Sequence, residues 1–244
     1  MSDRLRELCR QMRLGNLAAL IDQVEYSDRK QYVTELLELA IKQREASRVK
    51  GLIKQAGFPS PRTLENFDFS PVSFPSAKVK EQITSLDFIG QKENVLMLGA
   101  VGTGKTHFAT ALGVKGCLSG KKVAFYRTVN LTNELVERHE SGQLPRFLKN
   151  LAQKDLLILD EMGYVPTSKK SSELLFHVIS NAYEHQSIII TSNLELGRWN
   201  EMFGDDRLTH ALIDRLVHHS HILAFSGESY RFREALGRRS NKSQ

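Results

Sequence analysis

The sequence predicts an α/β fold in which a small all-helical N-terminal domain precedes a five-stranded parallel sheet. Residues 2–57 place apolar side chains at helical spacing between charged positions. From about residue 94 onward, short apolar runs are separated by helix-length stretches, which is typical of βαβ units. The 244 residues, 41% of them hydrophobic and 25% charged, have the composition of a globular protein and not of a disordered chain.

The N-terminal helical region contains residues that typically begin, interrupt and end helices. Gly15-Asn16 interrupts the helical pattern, Ser27-Asp28 resembles the cap of a long helix, and that helix is expected to end near Gly57. Pro59 and Pro61 follow and favour a domain boundary there. We therefore expect four segments: a helical domain at 1–57 that contacts DNA, a partner or other subunits, a linker at 58–70, an α/β domain at 71–225 and a basic tail at 226–244.

Five apolar runs predict strands that are covered by helices on both faces. They are NVLML at 94–98, KVAFY at 122–126, DLLIL at 155–159, SIIIT at 187–191 and HILAF at 221–225. Amphipathic stretches between them predict helices at roughly 106–118, 129–140, 171–185 and 206–218.

Charge is unevenly distributed along the chain. Residues 1–60 carry 11 Lys and Arg against 8 Asp and Glu, residues 61–225 carry 18 against 18, and residues 226–244 carry 5 against 2. The net charge of +6 therefore comes from the two ends. Such ends favour contacts with nucleic-acid phosphates, although charged termini also simply keep a protein in solution.

Neither a membrane span nor a disulfide framework is expected. No apolar stretch approaches the ~18 residues that a membrane helix needs, and the opening MSDRLRELCRQMRL lacks the apolar run of a secretory signal. Cys9 and Cys117 lie far apart in no metal-ligand spacing and are read as reduced thiols. A cytoplasmic protein with no membrane partner is the expectation.

A phosphate-binding loop follows the first apolar strand. Gly99-Ala100-Val101-Gly102-Thr103-Gly104-Lys105-Thr106 matches G-x-x-x-x-G-K-[ST], and a helical stretch follows it. In such a loop, backbone N–H groups surround the phosphates, the lysine reaches the β- and γ-oxygens, and the hydroxyl of the last residue ligates Mg²⁺. No N-K-x-D tetrapeptide follows any of the strands, which favours ATP over GTP.

Paired carboxylates end the third apolar run. Asp160 follows LLIL directly, and Glu161 comes next. At the end of a parallel strand, the first carboxylate is placed to hold the Mg²⁺ of a bound nucleotide, and the second to orient and deprotonate the attacking water. Together with the phosphate loop, the pair indicates nucleotide hydrolysis.

Two further polar positions have open interpretations. Asn193 ends Thr191-Ser192-Asn193 after the fourth run, where it could bond the γ-phosphate or the water, but the tripeptide could equally form a turn and helix cap. Arg207 and Arg215 lie on the helix before the last strand. The residues alone favour surface ion pairs with Asp206 or Asp214 over contact with a neighbour's γ-phosphate.

The combination of GAVGTGKT, LLILDE, TSN and LIDRL on a five-strand unit after a helical segment resembles the IstB-type ATPases. These helper proteins of bacterial insertion sequences belong, with the DnaC helicase loaders and DnaA initiators, to the AAA+ class. TLENFDF at 63–69 and FSGESYRFR at 225–233 point to the IstB branch in particular.

The resemblance implies roles for individual residues. Gly99–Thr106 corresponds to Walker A, Asp160 and Glu161 to Walker B, Asn193 to sensor 1, and Arg215 to an arginine finger that acts on a neighbouring subunit. It also implies that Phe67 or Phe69 borders the adenine. With 19 residues after the last strand, no C-terminal helical lid is expected, and Arg231 or Arg233 is the candidate to replace its arginine.

The implied function is an oligomeric ATPase, with ATP and Mg²⁺ as cofactors, that assists a transposase and assembles on duplex DNA without strong sequence specificity. Its expected partners are DNA, the cognate transposase and further copies of itself. Candidate DNA contacts are the basic run Arg44, Arg48, Lys50 and Lys54, although such a run more commonly forms a solvated helix face. Because initiator-type relatives use the corresponding region, the resemblance adds Arg127, Arg138, Arg146 and Lys149 within 127–154. The alternative is a DnaC-like helicase loader, whereas a metabolic kinase is disfavoured because no acceptor site is evident.

Overall fold

The computed structural model describes residues 7, 9–11, 13–25, 28–65, 67–164, 168–227 and 229–230. The chain separates into two compact units, Met1–Leu52 and Ile53–Gln244. The division expected from the sequence, with its boundary after residue 57, stays a prediction. Most of the basic tail, including Arg231 and Arg233, lies outside the described residues.

The described residues of the first unit form helices joined by turns. Its elements are α1 at Leu17–Leu20, a 3-10 turn at Ile21–Gln23 and the long helix α2 at Arg29–Ala56, which continues into the second unit. The Asp28 carboxylate accepts hydrogen bonds from the backbone N–H groups of Lys30 and Gln31, at 3.3 and 3.1 Å, and so caps α2 as the sequence predicts. Ser27 lies outside the described residues.

The second unit alternates strands and helices. Its elements in chain order are β1 Val72–Ser73, α3 Ala77–Ser85, α4 Asp87–Gln91, β2 Asn94–Gly99, α5 Lys105–Leu118, β3 Val123–Arg127, α6 Thr128–Glu140, α7 Leu144–Leu151, β4 Leu156–Met162, α8 Lys169–Ala182, β5 Ser187–Ser192, a 3-10 turn Leu196–Arg198, α9 Asn200–Phe203, α10 Asp206–His218 and β6 Ser220–Phe225. None of the helices in the described part of the chain is long and apolar enough to cross a membrane.

The strands form one sheet in the order β1-β6-β2-β5-β4-β3. Strands β2 to β6 are parallel, which confirms the five-stranded parallel sheet predicted from the apolar runs. A sixth strand, β1, pairs antiparallel with β6 at the sheet edge and was not predicted. With only two residues, it is too short to produce a period-2 pattern.

The sheet order brings distant parts of the chain to one edge. Strand β5 lies between β2 and β4, so the carboxyl ends of these three strands are neighbours. Most of their residues are buried, because helices pack on the sheet as the continuous apolar runs predict. The phosphate loop, the Asp160-Glu161 pair and the Thr191-Ser192-Asn193 tripeptide consequently meet at this edge.

The end of β2 approaches β6 too closely for a side chain. Gly99 has a φ of 147°, and a Cβ added there would lie 2.0 Å from the carbonyl oxygen of Phe225. Both the backbone conformation and the contact with the next strand therefore require glycine at this position.

We expect Gly99→Ala to lower the free energy of unfolding by about 2–4 kcal/mol, because β6 must move and the backbone is strained. Gly90→Ala is the matched control, since it lies in α4 and the added Cβ would meet no atom within 4 Å beyond its chain neighbours and its own helix backbone. Its effect should be neutral or slightly stabilising, because alanine favours helix. Thermal denaturation of both variants measures the difference, and equal melting temperatures would contradict this role for Gly99.

Candidate functional site

The phosphate loop, residues Gly99–Thr106, connects β2 to the first turn of α5. Lys105 is the first residue of that helix, and its ammonium donates hydrogen bonds to the carbonyl oxygens of Gly99 and Ala100, both at 2.6 Å. The Nζ atom also lies 3.4 Å from the Thr103 hydroxyl. These bonds hold the lysine beneath the loop, at the positive end of the helix dipole.

Burial changes the acidity of the Lys105 ammonium. The residue is 9% exposed, and loss of hydration lowers its pKa to about 8, against an opposing effect from the negative charge of Asp160. A cation that has lost most of its water gains more from an incoming anion than a hydrated one does. The loop therefore combines backbone N–H groups with one desolvated positive charge, an arrangement suited to phosphates.

The Asp160 carboxylate joins the loop to the neighbouring strands. It is 1% exposed, and its Oδ1 atom accepts hydrogen bonds from the hydroxyls of Thr106, at 2.8 Å, and Thr191, at 2.6 Å. Asp160 lies on β4, Thr106 on α5 and Thr191 on β5. The structure thus brings together the two motifs that the sequence placed 54 residues apart.

Glu161 and Asp160 lie on opposite faces of β4, as successive strand residues do, and the strand is irregular at this point. The register of β4 against β5 shifts between Leu159 and Met162, and Glu161 has a φ of 59°, which is rare outside glycine. Its side chain is 41% exposed, and its Oε2 atom lies 3.7 Å from Nε of Arg127 at the end of β3. One carboxylate of the pair is therefore buried and hydrogen-bonded, and the other projects toward solvent.

Thr191 was not among the residues selected from the sequence. Its hydroxyl donates to Asp160 and accepts from the backbone N–H of Glu161 at 2.9 Å, so it fixes both carboxylate residues. The only sequence signal for Thr191 was its place in Thr191-Ser192-Asn193, the tripeptide from which Asn193 was selected. Asn193 itself is exposed and directly follows β5, between the strands that carry the phosphate loop and Asp160. Its role as a sensor stays a prediction.

Arg215 lies away from the phosphate loop. Its guanidinium stacks on the Phe176 ring at 4.9 Å, and its buried Nη1 atom has no hydrogen-bond partner. The next residue, Leu216, accepts a hydrogen bond from the side chain of Asn94, which begins β2, whereas the loop begins at the other end of that strand. At ~3.3 Å per residue, β2 separates the two positions by roughly 16 Å. Arg207 is exposed near the start of α10.

An aromatic cluster adjoins the loop on the side of β1 and β6. Phe67 stacks on Phe108 with ring centroids 4.8 Å apart and contacts Phe69 at 5.0 Å. A Cβ added to Gly104 would lie 3.6 Å from the Phe67 ring, so this ring packs directly against the loop. Such a position is compatible with the expected adenine contact, which stays a prediction. Asn66, in the same segment, lies outside the described residues.

The residues present fit a magnesium ion. Among the described residues, no group of three or more His, Cys, Asp and Glu could hold a metal by itself. Nucleotide-bound Mg²⁺ needs no such cage, because phosphates and water supply most of its ligands. The Thr106 hydroxyl and the Asp160 carboxylate, 2.8 Å apart, provide the two oxygen ligands that such a site takes from the protein.

A cavity of about 550 Å³ lies beside Glu161 rather than over the phosphate loop. It is lined mainly by residues of α6, together with Gly163, Tyr164 and Ser168. Val129 and Tyr164, two of its lining residues, are exposed apolar side chains, and Glu137 and Glu140 add negative charge. The cavity adjoins the nucleotide site through Glu161, but no residue of the phosphate loop lines it.

Comparison with known proteins decides the family. The family model described as IstB-like ATP binding protein matches residues 6–237. The chain belongs to the IstB-like ATP-binding family. It is 37% identical to an insertion-sequence ATP-binding protein of Geobacillus stearothermophilus, covering 96% of both chains. It is also 41% identical to the insertion sequence IS21 ATP-binding protein of Pseudomonas aeruginosa, covering 82% of this chain and 77% of that relative.

Solved structures with the same fold come from the AAA+ class, as the sequence resemblance implied. A DnaC helicase loader superposes with a TM-score of 0.53 at 20% identity, covering 67% of this IstB-like chain and 96% of the loader. An AMPPCP-bound DnaA from Aquifex aeolicus gives 0.59 at 22% identity, covering 72% and 54%. These identities establish the fold alone.

Thr191→Val should lower the free energy of unfolding by about 1–3 kcal/mol, because it removes one of the hydroxyls that bond the buried Asp160. Thr191→Ser keeps the hydroxyl and is the matched control for it, with only a methyl group lost. Denaturant unfolding of the two variants measures the difference. A valine variant at least as stable as the serine variant would contradict the importance of this bond.

The pH dependence of nucleotide affinity should reveal the pKa of Lys105. Below pH 8 the lysine is charged, and bound phosphate favours that form, so affinity is fully present there and falls as pH rises through about 8. At pH 9 the dissociation constant for ATP should be up to ~10-fold higher than at pH 7.

Calorimetric titration with ATP at a series of pH values checks this dependence. Lys105→Arg is the control, because a guanidinium keeps its charge across the whole range. Whatever affinity that variant retains should not change between pH 7 and 9. The same loss of affinity in both proteins would assign the titration to another group.

Proposed function

We propose that this IstB-like chain hydrolyses ATP, oligomerises on duplex DNA and assists the transposase of its insertion sequence. The observation that carries the proposal is the 2.8 Å hydrogen bond between Thr106 and Asp160, which joins the phosphate loop to the paired carboxylates. Relatives named as insertion-sequence ATP-binding proteins support the biological setting.

In the proposed hydrolysis the two carboxylates have different roles, Asp160 at the metal and Glu161 at the attacking water. Mg²⁺, when bound with ATP, supplies charge neutralisation to the phosphates, and Thr106 and Asp160 would hold it. Lys105 binds the β- and γ-phosphate oxygens, while Glu161, the more exposed carboxylate, orients the attacking water and takes its proton. Asn193 is the proposed contact to the γ-phosphate or the water.

Basic side chains on α7 support the proposal of DNA contact through segment 127–154. Arg146 and Lys149 are exposed and three residues apart, so they share one face of the helix. The other two candidates have partners within the chain, since Arg127 lies 3.7 Å from Glu161 and Arg138 lies 3.1 Å from Glu134. We therefore place the DNA contacts of this segment on α7, supplemented by the basic residues of α2.

Oligomerisation is supported by α2. Val33, Leu37 and Ile41 are spaced four residues apart on that helix and are 51, 43 and 58% exposed. Such an apolar stripe is suited to contact with another subunit. Arg215 is the proposed arginine finger, because its distance from the phosphate loop of its own chain leaves a neighbouring site as the target.

A helicase loader is the second candidate, because the fold is shared with a DnaC loader. The two functions differ in the nucleic acid they require: a transposition helper should assemble on duplex, and a loader should hold single strands beside a replicative helicase. Membership of a family whose relatives are named for insertion sequences favours the helper.

Two substitutions in the site should separate binding from hydrolysis. Lys105→Ala removes the main counter-charge of the phosphates, so both ATP binding and ATP-dependent assembly on duplex should be lost. Glu161→Gln keeps the loop and the buried Asp160, so it should bind ATP and retain assemblies while hydrolysis falls by at least ~100-fold.

Electron microscopy with duplex or single-stranded DNA, paired with phosphate release, measures both effects. Ordered assemblies on duplex that depend on ATP support the helper function. Assembly on single strands alone would favour the loader instead. Parent-like hydrolysis in both variants would show that the catalytic site lies elsewhere.

Arg215 should act on the ATP of a neighbouring subunit. Arg215→Ala is expected to bind ATP but to lose hydrolysis by about 10³–10⁵-fold, the range found for arginine fingers. Mixing it with Lys105→Ala creates junctions that combine an intact loop with an intact finger, so activity should reappear. Lack of recovery in mixed oligomers verified by cross-linking would move the assignment to Arg207 or to a role within one chain.

A further inference from the structure

The chain that follows β6 returns to the phosphate loop. The N–H of Ser226 donates to the Pro71 carbonyl at 2.9 Å, and the N–H of Tyr230 donates to the Gly102 carbonyl at 2.9 Å. We refer to residues 226, 227, 229 and 230, the described part of this segment, as the strap. One end of the strap is thus attached beside β1 and the other to the middle of the phosphate loop.

The contact between strap and loop is close. Gly102 has a φ of 82°, and a Cβ added to it would lie 2.2 Å from Oγ and 2.8 Å from Cβ of Ser229. Only glycine allows both this backbone conformation and this approach. Tyr230 is 53% exposed, and its backbone N–H makes the hydrogen bond to the loop.

Phosphate binding requires the loop to hold its N–H groups in one arrangement. Fixing a residue's backbone costs roughly 1–2 kcal/mol in conformational entropy, and a loop that is already fixed loses less on binding. On its inner side, Lys105 bonds the carbonyls of Gly99 and Ala100. The strap instead bonds the carbonyl of Gly102, two residues after Ala100.

We propose that the backbone N–H of Tyr230 and the side chain of Ser229 are positioning groups for ATP binding: they hold Gly102 and thereby keep the phosphate loop in its binding conformation. The inference rests on the proposed assignment of this loop as the ATP site. It adds a segment far from the motif in sequence to the phosphate site, and it requires no contact between the strap and the nucleotide itself.

A pair of substitutions at one position tests the hydrogen bond. Tyr230→Pro removes the N–H, whereas Tyr230→Ala removes the ring and keeps the donor. In the full-length protein, the proline variant should bind ATP about 3–10-fold more weakly than the alanine variant, in line with the loss of one hydrogen bond. Inorganic tripolyphosphate, which occupies the phosphate loop alone, should lose affinity by the same factor.

The readouts distinguish the possible failures. Equal affinities of the proline and alanine variants would overturn the proposal, and so would a loss seen with ATP but not with tripolyphosphate, because the strap would then act on the nucleoside. If the parent protein binds neither ligand, the assignment of the ATP site fails instead. Melting temperatures without nucleotide verify that both variants are folded.

Ser229→Gly provides an independent test that does not depend on the proline variant folding. Removing the hydroxymethyl group that packs against Gly102 should speed amide hydrogen exchange in the peptide containing residues 99–106. Parent-like exchange in that peptide would overturn the role of Ser229. Exchange in α8, which is remote from the strap, is the internal control and should not change.

Discussion

The buried carboxylate of Asp160 is the interaction on which the site depends. A carboxylate with 1% exposure is unfavourable unless hydrogen bonds replace its hydration. Two hydroxyls donate to it, and each comes from a different element: Thr106 from α5 and Thr191 from β5. The need to satisfy this one charge therefore fixes the relative positions of the phosphate loop, β4 and β5. The positive charge of Lys105 also stabilises the Asp160 carboxylate, because opposite charges attract more strongly at low dielectric.

The hydrogen bonds to Asp160 depend on the order of the strands in the sheet. The chain runs from β2 through β3 and β4 before β5 inserts between β2 and β4. Thr191 can contact Asp160 and Glu161 only because of that insertion. Parallel strands place their carboxyl ends at one edge, so hydrogen bonds can join residues that are 54 and 31 positions apart in sequence. The register of β4 against β5 shifts after Leu159, and the backbone N–H of Glu161 donates there to the Thr191 hydroxyl.

The sequence predicts those parts of the molecule that leave a periodic or spaced pattern. Apolar runs predict the five parallel strands, and the fixed spacing of the loop predicts the position of Lys105. Strand β1 was not predicted because two residues have no period. The bond from Thr191 was not predicted either, since a threonine within an apolar run resembles any β-branched strand residue. The contact of Tyr230 with Gly102 depends on the path of the chain after β6, which no residue type in the strap specifies.

Charge has two separate uses in this chain. The α/β region at 61–225 is electrically balanced, with 18 basic and 18 acidic residues, so its net charge supplies no general attraction for ATP. The phosphate site instead relies on one buried ammonium and the start of a helix, whose fields act over a few ångströms in a poorly screened environment. The surplus of positive charge is carried instead by residues 1–60 and 226–244, and DNA affinity drawn from it would come from contacts with many phosphates. The residues proposed to bind ATP therefore differ from the basic residues proposed to contact DNA, and the two functions are linked through ATP-dependent assembly rather than through shared charges.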